Sequence, residues 1–122
     1  MAKSIAFAGI KADVRAIVAS IPKGRVTTYG AIGDHMTVMP RHVAYILATL
    51  DDSDANALPW YRVVGTEGRL GKKRTGPSGA SQQSLLEDEG VTIDKKVVVE
   101  FDRVFVEPAK LKSGVRGGKT YG

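Results

Sequence analysis

A chain of 122 residues has room for one compact domain and little for a second. Apolar residues make up 43% and charged residues 25%, an ordinary globular balance, and no apolar run approaches the roughly 20 residues of a membrane span. With no cysteine, disulfides, thiolate nucleophiles and the common zinc sites are excluded, and His35 and His42 cannot replace those ligands.

The formal charge of +5 points toward a polyanionic partner. Arg69, Lys72, Lys73 and Arg74 stand close together with no acid among them, which fits either a solvated loop or a nucleic-acid contact. No cofactor and no metal are expected. The residues from Met1 to Ile5 carry no apolar secretion signal, so a cytoplasmic location is expected, at the nucleoid in a bacterium.

In chain order, Ile10, Val14, Ile17, Val18 and Ile21 recur on one helical face, with Ser4 placed to cap that helix. Pro22, Lys23, Gly24 and Arg25 end it as a turn, and Val26-Thr27 reads as extended. Thr28 suits the cap of a short helix over 29–36, packed through Ile32 and Met36. Pro40 suits the first turn of a third helix, whose buried stripe is Val43, Ile46, Leu47 and Leu50, with Arg41, His42, Tyr45 and Thr49 outward.

A short helix, a tight turn and a second helix make a helix-turn-helix candidate, although many small helical proteins contain that pattern without binding nucleic acid. Asp51 to Asp54 reads as an acidic linker. Val63 and Val64 end a strand, a Gly/Lys/Arg loop covers 65–79, and a fourth helix is predicted over 80–89, capped by Ser78 or Ser81 and stopped by Gly90. One or two strands are predicted over 97–101 and 104–106, flanking Asp102-Arg103. The fold class is therefore α+β, mainly helical, with a winged-helix-like helix-turn-helix and short strands. The domain is expected to span 1–108, followed over 109–122 by a mobile tail in which Lys110, Lys112, Arg116 and Lys119 stand among glycines without an acid.

Four segments in fixed order carry a resemblance: Ile21-Pro22-Lys23-Gly24-Arg25-Val26-Thr27-Thr28-Tyr29-Gly30, Pro40-Arg41-His42-Val43, Pro59-Trp60-Tyr61-Arg62-Val63-Val64, and Leu85-Leu86-Glu87-Asp88-Glu89-Gly90-Val91. Over roughly 7–93 the chain resembles the DNA-binding domain of the O6-alkylguanine DNA alkyltransferases. That family carries Pro-Cys-His-Arg-Val where this chain has Pro59-Trp60-Tyr61-Arg62-Val63. Tryptophan at the cysteine position resembles the alkyltransferase-like proteins, which bind O6-alkylguanine, flip it and recruit nucleotide excision repair.

The resemblance implies that the chain is not an enzyme. Alkyl transfer from O6 needs a soft nucleophile activated by a base, which an indole at Trp60 and a phenol at Tyr61 do not supply, although Glu89 keeps the place of the relay carboxylate. It further implies that Arg41 enters the base stack and Tyr29 crowds the lesion phosphate to extrude the nucleotide. Pro59, Trp60, Tyr61, Lys73 and Arg74 would line the lesion pocket, and Thr28, His42, Ala44, Lys72 and Thr75 would meet the DNA backbone. Arg62 would brace the pocket. Ala44 stands where the family usually has glycine, and His42 and Tyr45 are bulkier than in many relatives. The implied partners are double-stranded DNA containing O6-alkylguanine and nucleotide excision repair proteins, with no membrane and no signal for a dimer interface, so a monomer is expected.

Two other readings fit some of the same residues. A helix-turn-helix regulator would read base edges in one palindromic site and ignore alkylation. A base-excision enzyme would activate water with a carboxylate such as Asp34, Asp52 or Glu89. A residual transferase fits least, for want of a nucleophile.

Overall fold

The computed structural model describes residues 3–71 and 79–118, with side chains from Phe7 onward. The first helix, α1 (Lys3–Ala19), begins before Ser4, so that serine lies within the helix rather than capping it. Val14, Ile17 and Val18 are fully buried from α1, and Ile21 follows at 1% exposure. The turn that ends this segment closes with Arg25 N–H donating to the Pro22 carbonyl at 3.1 Å, and Gly24 takes φ +81° where a side chain would be strained.

The chain then enters β1 (Thr27–Thr28), pairs in parallel with β2 (Val63–Val64), and turns directly into α2 (Tyr29–Met36). Thr28 caps α2, its Oγ1 accepting the Ala31 N–H at 2.9 Å. After the turn comes α3 (Pro40–Ala48), with proline in its first turn and Val43, Ile46 and Leu47 buried. The helix starts and the buried stripe agree with the sequence reading.

Asp51 to Asp54 is not a linker. Asp51 caps a further helix, α4 (Asp52–Ala57), by accepting the Asp54 N–H at 2.8 Å, and acids in the first turn meet the positive end of the helix dipole. A 3-10 turn over Trp60–Arg62 delivers the chain to β2. The later helix, α5 (Gln82–Asp88), is shorter than predicted because Ser81 caps it, accepting the Ser84 N–H, and Gly90 at φ +92° follows its end.

The strand predicted over 97–101 is cut short. β3 (Ile93–Asp94) and β4 (Val97–Val98) form an antiparallel hairpin whose turn residues, Lys95 and Lys96, both take positive φ. Glu100 then takes φ 53° and starts the one-turn helix α6 (Phe101–Val104). Beyond it Phe105 does return to extended geometry, bridging Val26, and Val106 N–H donates to the Val26 carbonyl at 2.8 Å.

Two apolar clusters result. The larger joins α1, α2, α3 and Trp60, and the smaller joins Val26, Val64, Leu86, Val91 and Val98 beneath the hairpin. Composition predicts a mobile segment over 109–122, and the described part of it, 109–118, makes contacts with the domain. Leu111 and Val115 pack on the larger cluster, His35 Nε2 donates to the Val115 carbonyl at 2.9 Å, and Gly118 N–H donates to the His35 carbonyl at 3.0 Å. Two apolar side chains among the basic residues reward this docking, which charge and glycine content alone do not reveal. Among the described residues no helix is long and apolar enough to cross a membrane.

Candidate nucleic-acid interface

α2 and α3 approach each other through Gly33. A Cβ at this position would lie 2.6 Å from the Val38 carbonyl oxygen and 3.2 Å from the Pro40 nitrogen, so only glycine allows the turn to close onto the helix. Thr37 in the left-handed region ends α2, its N–H donating to the Gly33 carbonyl. The sequence reading did not single out Gly33, although a glycine in the middle of a short helix is a signal of close backbone approach.

α3 begins without a capping side chain, which leaves the positive end of its dipole open to an anion. Arg41 and His42 are exposed on its first turn, Ala44 is half-buried, and Tyr45 is 59% exposed. Tyr45 meets Phe7 of α1 as a tilted ring pair at 6.5 Å, and Met39, ahead of the helix, is also exposed. The guanidinium of Arg41 has no ion-pair or hydrogen-bond partner among the described residues.

Tyr29 is the first residue of α2 and packs half-buried against the larger cluster. Burial pushes its phenol above the usual tyrosine range. A methyl group added at Gly71 would lie 3.8 Å from the Tyr29 hydroxyl, so this tyrosine reaches the beginning of the basic loop. Gly71 is held there by Gln82, whose Oε1 accepts the Gly71 N–H at 3.2 Å while its Nε2 donates to the Tyr61 and Val63 carbonyls at 3.1 and 2.9 Å. Gln82 is buried and was not foreseen, because its partners lie in distant parts of the chain. The expected contacts Lys72, Lys73, Arg74 and Thr75 lie outside the described residues, as does Ser78.

Pro59, Trp60 and Tyr61 line a cavity of about 380 Å³ together with Leu58, Arg62 and Leu85. Trp60 is 5% exposed and belongs to the larger cluster, so most of its ring is committed to packing. Its ring meets that of Tyr61 edge to face at 5.7 Å and 86°. Arg41 and Tyr29 are not among the residues that line this cavity, although Tyr29 packs on the same apolar cluster as Trp60.

Behind Tyr61 sits a closed polar knot. Glu89 accepts from the Tyr61 hydroxyl at 3.0 Å, from Arg62 Nε at 3.0 and 3.1 Å, and from the Gly24 N–H at 3.0 Å. A further bond joins Arg62 Nη2 to Glu89, and Nη1 donates to the Ile21 carbonyl at 2.7 Å. Burial works against the charged carboxylate, but the Arg62, Gly24 and Tyr61 donors outweigh it and hold Glu89 below its usual range. Tyr61 is pushed the opposite way, first by burial and then by its bond to the Glu89 carboxylate. Among the described residues no cluster of His, Asp and Glu is arranged to hold a metal.

A helix-turn-helix whose second helix starts uncapped with an exposed arginine is an architecture suited to holding DNA. The chain belongs to the family of the 6-O-methylguanine DNA methyltransferase DNA-binding domain, whose model matches residues 10–91. It is similar to a DNA base-flipping protein of Vibrio parahaemolyticus, 36% identical over 68% of this chain and 81% of that one. It is also similar to alkyltransferase-like protein 1 of Schizosaccharomyces pombe, 29% identical over 69% of this chain and 78% of that one. The crystal structure of S. pombe Atl1 in complex with damaged DNA containing O6-carboxymethylguanine superposes with a TM-score of 0.70 at 25% identity, covering 83% of this chain and 97% of that one.

Proposed function

We propose that the protein is a non-enzymatic sensor of O6-alkylguanine in duplex DNA. α3 lies on the DNA, Arg41 and Tyr29 drive the damaged nucleotide out of the stack, and the Pro59-Trp60-Tyr61 side receives it. The observation that carries this reading is the unpartnered, exposed Arg41 at the uncapped start of α3, in a fold shared with a protein solved on damaged DNA. Unstacking a base costs a few kcal/mol, and a guanidinium that stacks in the gap offsets part of that cost.

Chemistry supports binding without transfer. The chain has no cysteine. Tyr61, beside Trp60, is no substitute, because its proton is directed to Glu89 and its phenol is held above the usual range, away from the nucleophilic phenolate. Glu89 has its oxygens occupied by Arg62, Tyr61 and Gly24, which also argues against its activating water as a base-excision residue. A sensor that leaves its lesion unchanged requires a second protein to act on it, and nucleotide excision repair is the route that we assign.

The test compares duplexes that differ only by guanine or O6-methylguanine, at fixed salt, for the wild type, Arg41→Ala and Trp60→Phe. A preference for the lesion that Arg41→Ala lowers by about tenfold is expected, since the arginine offsets one to a few kcal/mol of unstacking. Equal affinity for both duplexes sinks the sensor and leaves a helix-turn-helix binder indifferent to alkylation.

A further inference from the structure

On the other side of α2 from the core an open groove of about 620 Å³ runs between that helix, the 3-10 turn Thr66–Gly68 and the chain from α6 to Pro108. Phe101 and Phe105 line it as a tilted ring pair with centroids 5.1 Å apart, each half-buried. Around the rings stand three exposed carboxylates, Asp34, Glu67 and Glu107, one from each wall. Among the described residues none of the three forms an ion pair, and no lysine or arginine lines the groove. His35, also at its edge, is turned to the Val115 carbonyl.

This concentration of unpaired acid is the opposite of the chain's overall charge of +5, so the groove repels phosphate and is poorly suited to DNA. Its far wall, including Phe101, Phe105 and Glu107, also lies beyond residues 10–91, the part that the family model matches. A cavity with aromatic rings and a rim of carboxylates complements one kind of occupant, a cationic side chain with apolar neighbours. Its cation pairs with the acids or lies over a phenyl face while its neighbours cover the rings.

We propose that this groove docks a short basic segment of a second protein, with arginine or lysine beside apolar or aromatic residues. That the groove takes such a segment stands on its own geometry; that the segment belongs to a protein acting on the lesion rests on the sensor reading above. The groove borders Thr28 and Gly30, on either side of Tyr29, so a docked partner sits next to the residue assigned to the damaged nucleotide.

The experiment is an amide-shift titration of the isotope-labelled full chain with the peptide acetyl-Arg-Leu-Lys-Trp-Arg-Leu-amide, against the same peptide with glutamate at each cation. Shifts gathered in 30–35, 66–67 and 101–109 with the basic peptide alone are expected. Replacing the three acids together, Asp34→Asn, Glu67→Gln and Glu107→Gln, is expected to weaken that binding about tenfold, the sum of three exposed ion pairs. Thermal melting of the triple variant checks that it remains folded. Response to the acidic peptide, shifts centred elsewhere, unchanged affinity in the folded triple variant, or no binding at millimolar peptide overturns the proposal. Because no DNA is present, the result stands apart from the lesion comparison: groove binding without lesion preference would fail only the sensor.

Discussion

The knot around Glu89 and the outer face of α3 use polar side chains in opposite ways. At Glu89 every strong group is spent within the protein: Arg62, Tyr61 and the Gly24 N–H converge on one carboxylate, which is 7% exposed. On α3 the equivalent groups are left open, with Arg41 exposed and unpaired and Tyr45 59% exposed. The resemblance gives Glu89 the place of the family's relay carboxylate, and here its partners brace the fold; the second is the region with capacity to spare for a ligand. Substitutions should therefore separate the two, with stability lost at the knot and binding lost on α3.

The largest effect is expected from Glu89→Ala. Removing the carboxylate strands Arg62, whose side chain is 14% exposed, and a stranded buried charge costs about 3 kcal/mol in urea unfolding. The wild type also carries a pH signature. A carboxyl held below its ordinary 4.5 when folded contributes stability that is complete above that value and is lost as pH falls through the lower folded value. The variant lacks this component, so its stability should change less than that of the wild type between neutral and acid pH. An unchanged acid limb would show that Glu89 is not a linked group.

Gly33→Ala is expected to cost about 2 kcal/mol, because the new methyl meets backbone rather than a movable side chain. It should also weaken binding to both duplexes equally, since it alters how α3 is presented and not the lesion contacts. Circular dichroism melting and the duplex titration together check this. The smallest change in stability belongs to Tyr45→Ala, within about 0.5 kcal/mol for an exposed position, while its DNA affinity falls. Loss of stability at Tyr45 comparable to that at Glu89 would erase the distinction between the two regions.

Elements whose causes are local were readable in advance. Thr28 as a cap, Pro40 in a first turn and the Val43, Ile46, Leu47 stripe each act within one or two helical turns. The misses have non-local or unusual causes. Asp51 to Asp54 read as an acidic linker because a run of acids carries no apolar stripe, whereas the Asp51 cap and the buried Ala55 reward a helix there. Phe101 and Val104 favour strands by type, but the left-handed Glu100 directs the chain into a helical turn under the smaller core. Leu111 and Val115 pack on the larger cluster beside a segment that the His35 carbonyl and imidazole also hold, partners far away in sequence. At the candidate site, the resemblance picks out Arg41, Tyr29, Trp60 and Glu89 by position, whereas Gln82 joins residues 11 to 21 positions away and leaves no pattern in sequence.

That glutamine also sets what the scaffold supplies on its own. With Gly71 tethered by the Gln82 amide and α5 started by the Ser81 cap, the described residues on both sides of 72–78 are anchored by bonds that 72–78 itself does not contribute.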